Sequence, residues 1–104
     1  MEKAYNLVNS STGRNVVNQL VIKGKNKVTF QSYDSTIAIL DEAKNTLTIG
    51  KNWDYSNTTR KWFYEFLRQY ARINAKKPDV LRMIAAGGAQ GYMAFDVVYD
   101  SNMA

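Results

Sequence analysis

The chain has 104 residues, with 14 Lys or Arg against 9 Asp or Glu, a formal charge of +5 at pH 7, and neither Cys nor His. That length holds one compact domain, and a hydrophobic content of 45% excludes a disordered chain, because so much apolar surface offsets the entropy lost on ordering. The missing Cys excludes disulfides, thiolate metal sites and cysteine nucleophiles, and the missing His excludes imidazole ligands and Ser-His triads.

The first residues hold no apolar run of signal-peptide length. Nowhere do about 18 apolar residues follow one another, so the sequence reads as cytoplasmic, without a membrane partner. Residues 9–13, Asn-Ser-Ser-Thr-Gly, are the most loop-like stretch. Residues 1–8 before it can pack as an arm of their own, taking the arm to 1–13.

Residues 15–50 read as strand-rich. Over 16–22, Val16, Leu20 and Ile22 share one face of a pleated strand. Lys23-Gly24-Lys25-Asn26-Lys27 supplies Gly and Asn for a hairpin loop. Val28, Phe30 and Ser32 then alternate with Lys27, Thr29 and Gln31. Tyr33-Asp34-Ser35 makes the next turn, and residues 36–40 are apolar on both faces, which marks the most buried strand. After a turn at 41–45, Leu47 and Ile49 alternate with Thr46 and Thr48. Consecutive strands joined by short turns pair antiparallel.

Residues 54–104 read as helical, with a final strand. Ser56, Asn57 and Thr58 are each credible N-caps. Residues 60–73 keep helical period, and Thr59, Trp62, Phe63, Phe66, Leu67, Tyr70 and Ile73 fall on one face. Each large apolar side chain buried there contributes about 1.5–3 kcal/mol. A shorter helix starts at Pro78, with Asp79 suited to the positive N-terminal end and Val80, Leu81 and Ile84 as its stripe. Gly87-Gly88 ends it, and residues 92–99 alternate as a fifth strand that can pair at a sheet edge or with another chain. The fold class is therefore α+β: an antiparallel β-meander of four to five strands packed against one long amphipathic helix and one shorter helix, in a single domain over 1–104.

The candidate binding residues are basic and aromatic. Arg60, Tyr64, Arg68 and Arg72 recur every four residues on the outward side of the long helix, with Lys61 beside them and Lys76 and Lys77 just beyond. Lys23, Lys25 and Lys27 make a second basic spot on the hairpin. Such groups can track phosphates or meet an acidic protein, with Tyr64 free to stack on a base. An ordinary solvated helix face gives the same pattern, helped by Glu65, which can pair with Lys61 or Arg68.

Three other features have simpler explanations. Asp41-Glu42-Ala43-Lys44 contains the Glu-x-Lys piece of some metal-dependent nucleases, but it falls in a turn with no placed upstream Asp. Gly87-Gly88-Ala89-Gln90-Gly91 follows a helix, whereas a phosphate loop follows a strand. Trp53 and Tyr55 can clamp the helix start on the sheet or stand out as partner anchors. No catalytic residue, metal site or cofactor is expected.

Phe30-Gln31-Ser32-Tyr33-Asp34-Ser35-Thr36-Ile37-Ala38, and the stretch from Trp53-Asp54-Tyr55-Ser56-Asn57-Thr58-Thr59 to Phe66-Leu67, carry a resemblance. They are similar to a widespread group of small proteins encoded by bacteriophages and mobile elements. The shared pattern is Phe-Gln-Ser-Tyr-x-Ser-x-Ile-Ala, then Trp-Asp-Tyr-Ser-x-Thr-Thr-x-Lys and a helix ending in Phe-Leu, over residues 15–67. The section after Tyr70 departs from the shorter members. The resemblance implies phage origin and expression inside a bacterium, and it implies no reaction. Small phage accessory proteins commonly bind host machinery. The expectation is thus a non-enzymatic inhibitor of a bacterial defence nucleoprotein, of anti-CRISPR type, in the host cytoplasm. The alternatives are a basic nucleic-acid-binding protein acting on phage DNA or transcription, and an assembly protein that oligomerises through its last strand. The +5 charge argues against DNA mimicry, which wants a dense acidic surface.

Overall fold

The computed structural model describes residues 2–86 and 95–103. In chain order it has β1 (Lys3–Val8), β2 (Asn15–Lys23), β3 (Lys27–Ser32), β4 (Ser35–Asp41) and β5 (Thr46–Gly50). A 3-10 turn (Lys51–Asp54) leads to α1 (Asn57–Phe66), which a π turn prolongs (Leu67–Ala71). Then come α2 (Lys77–Ala86) and β6 (Asp96–Asp100). The chain is α+β, and its strands form one sheet in the order β1-β2-β3-β4-β5-β6. Among the described residues no helix is long and apolar enough to cross a membrane.

The sheet differs from the expected meander in two ways. It has six strands, and it is mixed: β1 to β5 pair antiparallel in sequence order, whereas β6 runs parallel to β5, with Leu47 opposite Val97. A parallel neighbour requires a long crossover, and the two helices between β5 and β6 supply it. The segment read as a separate arm is β1, an edge strand whose Tyr5 lies opposite Val21. Its Leu7 is buried in the core, and Val8 O accepts from Gln69 Nε2 at 2.7 Å. The long helix, absent from any local reading of residues 1–8, therefore holds the arm in place.

One sheet face carries the core. Val28, Phe30 and Ser32 point inward from β3, and Leu47 and Ile49 from β5, as their alternation predicts. β4 buries two adjacent residues, Ile37 and Ala38, because the pairing shifts there: Phe30 faces Ala38 but Gln31 faces Thr36. The extra residue of such a bulge locally breaks the two-residue period. β2 corrects the expectation for Val16, Leu20 and Ile22. Gln19 and Val21 are the inward residues, because Val21 pairs with Phe30 and Gln19 with Ser32, and Phe30 already faces the helix. Asn18, at φ 65°, interrupts the alternation just before them. Leu20 and Ile22 are half-buried on the other face. There the register aligns Ala4, Ile22, Thr29, Ile39, Thr48 and Val98 in one row across all six strands.

α1 covers the core face. Ser56 is the N-cap, accepting from Thr59 N at 3.1 Å. Phe63 and Phe66 are fully buried, with ring centroids 6.4 and 5.3 Å from that of Phe30. Trp62 and Tyr70 pack half-buried beside them. The helical stretch stops earlier than expected. Arg72 takes φ 58°, and Ile73 N bonds back to Leu67 O at 3.0 Å, so Ile73 reaches the core after the chain has turned. α2 begins with Asp79 Oδ2 accepting from Lys76 N at 2.9 Å, the returning half of a capping box. It buries Val80 and Met83, whereas Leu81, expected in the stripe, is exposed. The contact with β6 decides which side of this short helix faces inward. The glycine-rich loop at 87–91 and the first part of the expected last strand, 92–94, lie outside the described residues.

Candidate functional site

The basic row on α1 is present, but much of it is engaged within the fold. Arg60 forms an ion pair with Asp54 and a hydrogen bond to Asn57. Lys77, from the start of α2, reaches the same Asp54 at 3.5 Å. Partial burial would raise the Asp54 carboxyl. The hydrogen bond from Arg60 and the charges of Lys77 and Arg60 outweigh it and hold the group below its ordinary value. Arg68 pairs with Glu65 and donates to Ser10 Oγ at 2.6 Å. Burial also works to raise the Glu65 carboxyl, and hydrogen bonds from Gln69, Arg68 and Ser10 bring it below the usual range. Tyr64 does not stand free to stack on a base. It is half-buried, its hydroxyl has no hydrogen-bond partner among the described residues, and burial pushes its phenol pKa up. Lys61 lies with Nζ 4.6 Å from the Trp62 ring centroid. Arg72 and Lys76 are exposed, with no ion pair among the described residues.

The hairpin cations divide in the same way. Lys23 Nζ sits between two tyrosines, 5.4 Å from the Tyr5 ring centroid and 5.2 Å from that of Tyr70. This contact brings the β2–β3 hairpin against the C-terminal end of α1, two residues from Arg72. Lys25 and Lys27 are exposed at the hairpin tip. The ten predicted residues thus fall into two groups. Arg60, Arg68, Lys77 and Lys23 have partners within the fold, Lys61 lies over Trp62 and Tyr64 is half-buried. Arg72, Lys76, Lys25 and Lys27 are exposed, with no ion pair among the described residues.

The other candidate lies at the opposite end of α1. A cleft of about 380 Å³ opens where the β3–β4 turn meets the helix start. Ser32, Tyr33, Asp34 and Ser35 line it from the turn, Ile37 from β4, and Asn52, Tyr55 and Thr59 from the helix entry. Ser32 Oγ and Thr59 Oγ1, both buried, share a hydrogen bond of 3.0 Å, and Ser56 Oγ donates to Thr59 Oγ1 at 3.2 Å. Asn52 Nδ2 donates to Ser35 Oγ at 3.3 Å. The hydroxyl residues of both quoted segments therefore act as one joint, which fastens the turn to the helix start.

The two aromatics of the helix entry part company. Trp53 is buried, its ring 6.0 Å from that of Phe63, so it is the clamp. Tyr55 is 78% exposed at the cleft mouth. Tyr33, across from it, is 51% exposed and takes φ 53°. A bulky residue in the left-handed region is strained. Asn18 O fixes it by accepting from Tyr33 N at 2.7 Å, and Tyr33 O accepts from Gln31 Nε2 at 3.0 Å. The sequence had flagged both segments, but nothing in either alone says that they meet. The signal that could have found the site is their shared Ser/Thr content beside exposed Tyr. The Glu-x-Lys piece is a turn: Asp41 Oδ1 accepts from Ala43 N and Lys44 N, both at 3.1 Å. Among the described residues no three acidic groups gather in a metal-binding cluster.

A family of unknown function, DUF8033, matches residues 3–81, which takes in both segments that line the cleft. No curated protein and no solved structure matches the chain. With most of its length inside that match, the chain belongs to this family.

Proposed function

We propose that this member of a family of unknown function works by binding, as a small phage or mobile-element protein that inhibits a bacterial defence nucleoprotein such as a CRISPR nuclease. The observation that carries a binding role is the cleft between Tyr33 and Tyr55, built where the two segments of the phage-protein pattern meet. Exposed tyrosines on a rigid frame are common centres of protein recognition, because a large amphipathic ring loses little conformational freedom on contact. The host-defence part rests on the resemblance and on the scarcity of catalytic side chains in a sequence without His or Cys. The test is affinity purification of the tagged full-length chain from a bacterial host, with and without nuclease, followed by cleavage assays on what is recovered. One host defence complex, lost with Tyr55→Ala, is the expected result. Recovery of no such complex would refute the defence role.

A second reading has its own observation. Lys23 ties the hairpin to Tyr70, two residues from Arg72, and Lys25, Lys27 and Arg72 are exposed with no ion-pair partner among the described residues. Three phosphate contacts there give a salt slope of about −2.7, and binding then falls roughly 40-fold between 50 and 200 mM salt. Binding that barely changes over that range would exclude this mode.

A further inference from the structure

The cleft is lined by one carboxylate, one amide and several hydroxyls, and by no cationic donor. Asn52 donates one amide hydrogen to Ser35, and its side-chain carbonyl oxygen has no hydrogen-bond partner among the described residues. The Ser32 and Thr59 hydroxyls bond to each other, Thr59 also accepts from Ser56, Ser35 accepts from Asn52, and each keeps a lone pair for a donor. Asp34 has no ion pair or hydrogen bond among the described residues, in a protein whose cations outnumber its carboxylates by 14 to 9. No Lys or Arg lines the cleft, so a phosphate or carboxylate would meet Asp34 with no charge to balance it. Tyr33 and Tyr55, both exposed residues of the lining, carry ring faces whose negative potential favours a cation. At about 380 Å³ the space suits a side chain with some of its backbone, near the small end of ligand sites.

These requirements select a flat cation with several donors. A guanidinium has five N–H groups in one plane, stacks on aromatic faces, and pairs with a carboxylate through two donors at once. A lysine ammonium satisfies the charge alone. We infer that the cleft takes an arginine side chain displayed by the partner protein, held between Tyr33 and Tyr55, with its charge on Asp34 and its remaining donors on Asn52 and the hydroxyls. The strained turn supports this. Tyr33 and Asp34 are adjacent, and φ 53° at Tyr33 would suit Gly or Asn better. A residue that costs stability where it stands, yet presents its ring at a cleft mouth, fits a binding role. The inference rests on the binding role proposed above and names the partner group for that site.

The test is an amide NMR titration of the full-length chain with acetyl-Gly-Arg-Gly-amide. The expected result is saturable shifts at Asp34, Asn52 and Tyr55, with the citrulline peptide binding about tenfold more weakly because it keeps the shape and loses the charge. Asp34→Asn should weaken the arginine peptide by a similar factor, and Tyr55→Ala by roughly threefold. Tyr33→Gly should keep or raise Tm while weakening the peptide, an outcome that a purely structural Tyr33 would not give. No saturable shift, or equal affinity for the citrulline peptide, overturns the inference. So does tighter binding of free L-arginine or of adenosine monophosphate than of the peptide. Its failure is separable from that of the defence role: a recovered host complex with no peptide binding sinks only the arginine site, and peptide binding with no host complex sinks only the defence role.

Discussion

The outward ridge of α1 and the cleft at its N-terminal end sit on the same helix, yet they treat charge in opposite ways. On the ridge, Arg60 and Lys77 share Asp54, and Arg68 is held by Glu65 and Ser10. At the cleft, Asp34 has no partner among the described residues, and two tyrosines stand exposed beside it. The difference is one of reach. Long cationic side chains on a helix find carboxylates one turn away or on the next element. Asp34 has a short side chain, and it follows Tyr33, whose backbone is bonded to Asn18 and Gln31. A regular row of charges in the sequence thus marks a surface that largely neutralises itself, and the unpaired group lies where chain geometry is constrained.

That comparison can be broken at several depths. The deepest test is Phe66→Ala, which removes the ring stacked on Phe30 and should cost about 3–5 kcal/mol by chemical denaturation, loosening ridge and cleft together. A loss below about 1 kcal/mol would mean that α1 is not anchored through this pair. Next is Gln19→Leu. The Gln19 amide is fully buried opposite Ser32, and neither of its polar atoms has a partner among the described residues. Replacing it with an apolar side chain of similar volume should raise stability by about 1–2 kcal/mol. Ser56→Ala removes the N-cap and one of the two hydroxyl contacts of Thr59. It should cost about 1 kcal/mol and broaden the amide signals of the cleft, while those of the ridge stay sharp.

Acid tests the ion pairs of the ridge without mutation. The Asp54 and Glu65 carboxyls lie below their ordinary values of 3.8 and 4.5 when the chain is folded. Groups depressed by folding stabilise it above the unfolded value, and that support is lost as pH falls through the folded one. Stability measured by denaturation should therefore decline as pH drops from about 5 toward 2. Asp54→Asn should flatten the decline. The smallest effect is expected from Arg72→Ala combined with Lys76→Ala, whose exposed side chains have no partner among the described residues. Their loss should stay within about 0.5 kcal/mol in thermal or chemical unfolding.

Where one pattern dominated a segment, the sequence could be read directly. Val28, Phe30 and Ser32, and later Leu47 and Ile49, alternate against polar neighbours, so only one side could face the core. Phe63 and Phe66 recur at helical spacing among polar residues, and they are buried. Reading failed where two patterns competed. β2 has apolar residues in both phases, and its pairing with β3 chose Val21 over Leu20 and Ile22. In α2 the expected stripe included Leu81 and passed over Met83, and the docked helix buries Met83 and leaves Leu81 exposed. The candidate basic residues were legible as a row. Their ion pairs were only partly so, since Asp54 and Lys77 come from outside the helix they neutralise.

By itself, then, the sequence determined the α+β class, the main amphipathic helix and the lack of thiol and imidazole chemistry, because local periodicity and composition are sufficient for each. Tertiary structure alone decided three things: that β1 joins the sheet, that β6 runs parallel to β5, and that Tyr33 and Asp34 come to face Tyr55 and Asn52 across a cleft. All three depend on contacts between residues far apart in the chain. Such contacts form only when helix and sheet are docked, and no local pattern encodes them.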